Sequence, residues 1–129
     1  MMIRLCCSIA VAGAALLPGM PAQAQAPTHE CFFVREFENW KPGPDDKTMV
    51  IRVGVNRFYR LDFANRCQEM SWPDPVMVNK FRGTSICSAL DWDIRIGRGQ
   101  SGMATPCIVK AMTRMTPAEV AALPKKQKP

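Results

Sequence analysis

Histidine is scarce in this sequence, with His29 the only one in 129 residues. A nucleophilic serine or cysteine needs a neighbouring base to activate it, and histidine is the usual base. Cysteine pairs of the Cys-x-x-Cys kind, which supply many structural zinc sites, are missing as well. We therefore expect a protein that is not an enzyme, with no catalytic residue, no metal site and no cofactor.

Long apolar runs are also missing, apart from a short one at residues 9–17. A membrane-spanning helix needs about 20 residues, so this run is too short. It follows Arg4 and precedes Ala22-Gln23-Ala24, which is the pattern of a secretory signal peptide. We predict a signal peptide over residues 1–24 and no transmembrane segment after its cleavage. The mature protein is then periplasmic or secreted.

The body of the mature domain carries little net positive charge, because most of the excess lies near the two ends of the chain. The formal net charge is +6, but Arg4 lies in the leader and Lys125, Lys126 and Lys128 lie near the end, which leaves +2 for the body. Small β barrels often bind single-stranded nucleic acid through basic and aromatic residues. Export and a nearly neutral body argue against that partner, so we expect no nucleic acid.

Four cysteines remain in the mature chain, at Cys31, Cys67, Cys87 and Cys107. In a small exported domain they indicate two disulfides, although spacing alone leaves three connectivities open. We predict Cys31–Cys107, joining the first strand to the last, and Cys67–Cys87, closing the middle. On the loop-entropy model these bridges contribute roughly 4–5 and 3 kcal/mol.

Alternation of apolar and polar residues with a period of two dominates the mature chain. It is clearest at residues 49–53 and 59–63, which we predict to form a hairpin with its turn at residues 54–57. Further strands are predicted at residues 31–37, 76–81, 92–96 and 107–115. Six short strands predict a mainly all-β fold, either a six-stranded antiparallel barrel or a sandwich.

A short helix is predicted after the last strand. Thr116 is a typical N-cap, Pro117 suits the first helical position, and Glu119 completes a capping box. The chain then reads as one disulfide-stabilised β domain over residues 25–123. A disordered basic tail is predicted over residues 124–129.

Four segments together resemble a family of small exported bacterial proteins classed as a domain of unknown function. They are Cys31-Phe32-Phe33 running to Trp40, Arg57-Phe58-Tyr59-Arg60-Leu61 running to Cys67, Ile86-Cys87 running to Asp91, and Pro106-Cys107-Ile108 running to Thr116-Pro117-Ala118-Glu119. The resemblance spans nearly all of the mature chain. It implies a compact, disulfide-bearing β domain in the cell envelope and carries over no catalytic residue.

Three motifs invite a chemical interpretation that the sequence does not favour. Residues 97–102 match G-x-G-x-x-G, but a strand rather than the required helix follows, so we predict a mobile hairpin loop. His29 would suit Cu(II) or Ni(II) only if cleavage followed Ala26. Asp91 and Asp93 would share one face of a strand with Arg95, which favours a solvated charged surface over acid–base work.

The aromatic residues offer a candidate surface. Trp92 falls on the same predicted strand face as Ile94 and Ile96, so it is predicted to be core. Trp40 and Trp72 instead lie near prolines in predicted loops. With Arg98 they form a possible binding surface for an unknown envelope protein or a glycan. We therefore predict a non-catalytic binding or interaction module of the envelope. The alternatives are a small secreted hydrolase using carboxylates, and an inhibitor of another exported protein that presents residues 68–86 as a rigid loop.

Overall fold

The structure, a computed structural model, describes residues 30–79, 83–99 and 103–129. The predicted signal peptide and His29 lie outside these residues. The described part of the chain contains nine strands and one α-helix, α1, at Pro117–Ala122. The strands are β1 Phe32–Phe33, β2 Phe37–Pro42, β3 Thr48–Val53, β4 Arg57–Phe63, β5 Pro75–Asn79, β6 Ser85–Ile86, β7 Ile94–Arg98, β8 Ala104–Cys107 and β9 Val109–Arg114. Four 3₁₀ turns lie at Val34–Glu36, Gln68–Ser71, Ala89–Asp91 and Lys125–Gln127.

These strands form three antiparallel sheets in the described residues. Their orders are β2-β3-β4-β9, β5-β7-β8 and β1-β6. The prediction of a mainly β fold with a short C-terminal helix is confirmed. Of the two predicted arrangements the sandwich is the one observed, because the strands of the described residues do not close into a barrel.

The hairpin of β3 and β4 forms as predicted, and its period-two pattern supplies six of the fifteen buried residues of the described core. Met49 lies opposite Leu61, and Ile51 lies opposite Tyr59. All four of these side chains are buried, and they cluster with residues of β7 and β1. Gly54 in the turn has a φ of +59°, a left-handed conformation that side chains with a Cβ rarely adopt. Alternation thus places one face of the hairpin in the core.

The predicted first strand, residues 31–37, is in fact interrupted by a 3₁₀ turn. The Glu36 carboxylate accepts a hydrogen bond from the Phe33 amide at 2.7 Å and pairs with Arg57 at 2.5 Å. This carboxylate holds the turn that separates β1 from β2. The two short strands then join different sheets, β1 with β6 and β2 with β3.

The predicted last strand, residues 107–115, is likewise two strands that meet at Ile108. There the Ile108 carbonyl accepts from the Ala64 amide at 2.8 Å, and the Ile108 amide donates to the Asn65 side chain at 3.1 Å. The chain therefore leaves the sheet of β7 and enters the sheet of β4 at this residue. Strands that pass from one sheet to another are a common way to close the corner of a sandwich.

The disulfides are Cys31–Cys87 and Cys67–Cys107, so the predicted connectivity is wrong. The reason for the first bridge is register, since Phe32 of β1 lies opposite Ile86 of β6 and brings Cys31 beside Cys87. The second bridge joins the segment after β4 to the end of β8, next to the Asn65 contacts. The prediction failed because it placed the first strand beside the last one.

The C-terminal segment also differs from the prediction. Residues 124–129 were expected to be disordered, but they contain the 3₁₀ turn Lys125–Gln127, which lies against β2. The Lys128 ammonium donates to the carbonyl of Ala121 in α1 at 3.1 Å. No helix in the described residues is long and apolar enough to cross a membrane.

Candidate functional site

Two of the three residues predicted as a binding surface lie together. The Arg98 guanidinium stands 4.9 Å from the centre of the Trp72 ring, within the range of a cation–π contact. The Trp72 side chain is 40% exposed. Nearby, Val76, Arg98 and Met103 line a cavity of only about 80 Å³. The pair therefore forms a surface patch, and whether it binds a partner stays a prediction.

Trp40, the third residue of that predicted surface, belongs to another sheet. It lies on β2 opposite Ile51 of β3, and its partly buried ring packs against the core. Trp92 is buried, as predicted, and its ring contacts Phe32 and Phe37. The sequence pattern placed Trp92 correctly because it precedes an alternating strand. The sequence pattern misplaced Trp40 because β2 continues to Pro42, through residues whose composition predicted a loop.

Asp91 is a turn-forming carboxylate in the structure. One of its oxygens, Oδ2, accepts from the amides of Cys87 and Ser88 at 2.9 and 2.8 Å and from the Ser88 hydroxyl at 3.2 Å. The hydrogen bond from the Cys87 amide is the main cause that lowers the pKa of this carboxyl, followed by that from Ser88. A carboxyl held in its charged form is poorly suited to act as a general acid.

Asp93 does not share a strand face with Asp91, so that prediction is wrong. Asp91 ends a 3₁₀ turn, and β7 begins only at Ile94. Asp93 lies 3.8 Å from Arg95, and both side chains are partly exposed. It also borders a groove of about 350 Å³ that is lined by the exposed Leu90 and Ile108. The structure therefore does not present the two carboxylates side by side on one face of a strand, which is the arrangement that the sequence predicted.

The glycine-rich motif lies in the β7–β8 hairpin, where an antiparallel strand rather than a helix follows, as predicted. Gly97 pairs with Ala104, and a Cβ on Gly97 would come within 2.6 Å of the Met103 carbonyl oxygen. This glycine serves the close approach of two backbones. Residues 100–102, the tip for which a mobile loop was predicted, lie outside the described residues.

A groove that the sequence did not reveal lies between α1 and the hairpin of β3 and β4. Its volume is about 750 Å³, within the range of small-molecule sites. Its walls are largely apolar and come from Phe58 of β4, Met115 and Pro117 beside the helix start, and Val120 and Ala121 of α1. Phe58 alternates with the buried Tyr59, so it faces outward, towards the helix.

The capping box of α1 fixes this wall of the groove. The Thr116 hydroxyl accepts from the Glu119 amide at 3.3 Å, while the Glu119 carboxylate accepts from the Thr116 amide at 2.7 Å. The hydrogen bond from the Thr116 amide is the main cause that lowers the pKa of Glu119. The Met115 amide also donates to the Phe58 carbonyl at 2.9 Å, which ties the helix start to β4.

The polar part of the groove lining is positively charged. Arg114 and Lys128 line it together with Asn56 and Thr116, and none of the described residues of the lining carries a carboxylate. Arg114 is paired with Glu30, and Lys128 is held by the Ala121 carbonyl. The capping box was the one signal in the sequence that could have indicated this groove. It predicts a helix directly after the last strand, and a helix packed beside an outward-facing aromatic residue such as Phe58 can leave a groove between them. In the described residues, no three His, Cys, Asp or Glu side chains cluster as metal ligands would.

Comparison with known proteins identifies a family. The matching model covers residues 1–129 and describes a family of unknown function, DUF6491. The chain belongs to that family, which confirms the resemblance found in the sequence. A search of the curated proteins finds no match, and neither does a search of the solved structures.

Proposed function

We propose that this member of the DUF6491 family is a non-catalytic binding module of the bacterial envelope, with the groove beside α1 as its binding site. The observation that carries the proposal is the groove itself, about 750 Å³ of space with apolar walls and a few polar groups at its edge. Pockets of this kind are the usual place for a small ligand to bind.

The compartment part of the proposal is supported by the two disulfides. All four cysteines of residues 25–129 are paired, and such bridges persist in oxidising, extracytoplasmic surroundings. We further propose a periplasmic or secreted location after cleavage at Ala24. The pattern of residues 1–24 supports this finer statement.

The non-catalytic part is supported by the state of the candidate carboxylates. Asp91 is engaged by two backbone amides, and Asp93 lies outside the groove beside α1. The inhibitor alternative needs residues 68–86 as an exposed loop. The bridge that would have closed that loop, Cys67–Cys87, is not formed, and residues 75–79 pair with β7 as a strand rather than a loop.

Binding of an uncharged dye tests the groove beside α1 without any contribution from ligand charge. We expect the mature protein to bind Nile red saturably, with one dye per chain and enhanced fluorescence. Val120→Asp places a charge in the apolar wall and should weaken binding at least tenfold. Ala118→Asp, on the exposed side of the same helix, is the matched control and should bind like the natural protein.

The proposal fails if Nile red shows no saturable binding or if Val120→Asp binds as well as Ala118→Asp. Thermal unfolding of both variants shows whether the fold is kept. If Val120→Asp does not fold, Val120→Asn, which brings a polar group without a charge, takes its place with Ala118→Asn as the control.

A further inference from the structure

We infer that the ligand of the groove is a single-chain anionic amphiphile, namely an alkyl carboxylate of the fatty-acid kind. This inference rests on the proposed function and adds the chemical class of the ligand. It joins two observations on the same surface, which are the apolar walls and a lining whose charged members, among the residues that the structure describes, are the cations Arg114 and Lys128.

The apolar walls suit a hydrocarbon chain. Phe58 and Met115 come from the sheet side, and Pro117 and Val120 come from the helix side, so a chain lying between them contacts carbon on both sides. Burying one methylene group is worth about 0.8 kcal/mol, or about fourfold in affinity. Affinity should therefore rise by about that factor with each added methylene until the chain fills the groove.

The charge of the lining suits a carboxylate. The Lys128 ammonium carries three donors, and the bond to the Ala121 carbonyl at 3.1 Å uses one of them. Arg114 adds a second cation, whose charge is partly balanced by Glu30. A ligand with a negative headgroup can reach the Lys128 ammonium while its chain lies along the apolar walls.

The basic residues near the end of the chain strengthen this preference. Lys125 and Lys126 lie in the 3₁₀ turn just before Lys128, so they add positive charge within three residues of a lysine that lines the groove. Their combined field attracts anions and repels cations, and it is screened by salt. A cationic amphiphile should therefore be the worst ligand among chains of equal length.

Isothermal titration of the mature protein with three ten-carbon ligands tests the inference. We expect decanoate to bind about tenfold more tightly than decanol, and decylamine to bind more weakly than both. Lys128→Gln should lower the affinity for decanoate about tenfold and leave that for decanol unchanged. Lys110→Gln, which replaces an exposed lysine of β9 outside the groove lining, is the matched control and should change neither affinity by more than about twofold.

The possible outcomes separate this inference from the proposed function. Equal binding of the three ligands, or an equal effect of Lys110→Gln and Lys128→Gln, would overturn the carboxylate preference and leave the groove as a binding site. Failure of all three ligands together with failure of Nile red would overturn both.

Discussion

Some residues that the sequence offered as candidates for catalysis or cofactor binding instead stabilise the local backbone. Asp91 is the clearest case, because a carboxylate near a predicted strand gives no sign that two amides three and four positions earlier will bind it. Gly97 is another, since its motif resembles a dinucleotide site but its role is to let the backbones of β7 and β8 lie close together. Both roles depend on contacts that only the folded turn creates.

We predict that Asp91→Ala lowers the free energy of unfolding by about 2 kcal/mol at pH 7, since hydrogen bonds to a charged acceptor are lost. The folded state holds the pKa of Asp91 below 3.8, so the charged carboxyl stabilises the fold above that pH. As the pH falls through the lower pKa of the folded state, this stabilisation disappears. Urea unfolding at several pH values should show the gap between the two proteins shrinking below about pH 4.

Asp93→Ala is the control for this prediction. Its partly exposed pair with Arg95 should be worth less than about 1 kcal/mol. An equal loss in both variants, or a gap for Asp91→Ala that stays constant into acid, would contradict the assigned role of Asp91.

We also predict that Gly97→Ala destabilises the protein by about 1–3 kcal/mol, because the new Cβ would meet the Met103 carbonyl oxygen at 2.6 Å. The clash is with a backbone oxygen of a paired strand, which cannot move away as the end of a flexible side chain could. Gly83→Ala is the matched control, since the nearest atom to its Cβ is 4.0 Å away. Chemical denaturation of the two variants measures the difference, and equal stability would show that the backbones of β7 and β8 leave room for a Cβ at Gly97.

At the scale of elements, the sequence predicted the parts that local pattern controls. The hairpin of β3 and β4 formed because alternation and a glycine turn agree, and α1 began where its capping box lies. The breaks at Glu36 and Ile108 were missed because each depends on a distant partner, Arg57 in the first case and Asn65 in the second. The groove was missed for the same reason, since it exists only once α1 meets Phe58.

The helix cap gives a prediction at this scale. Thr116→Ala removes a capping hydrogen bond and should cost about 1 kcal/mol of stability. Because α1 forms one wall of the groove, Nile red binding should weaken as well. Thr113→Ala, an exposed threonine on β9, should change the stability by less than about 0.5 kcal/mol and leave binding intact. Dye binding that survives the loss of the cap would mean that α1 does not shape the site.

At the scale of the whole molecule, the two disulfides connect segments far apart in sequence. They close loops with sequence separations of 56 and 40 residues, each worth about 4 kcal/mol on the loop-entropy model. The existence of two bridges was predictable from the number of cysteines and the expected export. Their partners were not, because the pairing of β1 with β6 leaves no mark in the spacing.

The two bridges should differ in their response to reductant. Cys67 and Cys107 are buried, whereas Cys31 is exposed. Since thiol–disulfide exchange needs access for the attacking thiolate, Cys31–Cys87 should open first under mild reduction. Alkylation followed by peptide mapping should find label at Cys31 and Cys87 while Cys67 and Cys107 remain joined. Earlier labelling of Cys67 and Cys107 would contradict the burial of that bridge.

Two methionines can report where a ligand binds on this protein. Met115 lines the groove beside α1, and Met103 lies beside Arg98 in the patch predicted from the sequence. In methyl-labelled mature protein titrated with decanoate, we predict that the Met115 signal shifts progressively to saturation while the Met103 signal stays in place. A Met115 signal that does not move, or a shift confined to Met103, would contradict the groove as the binding site.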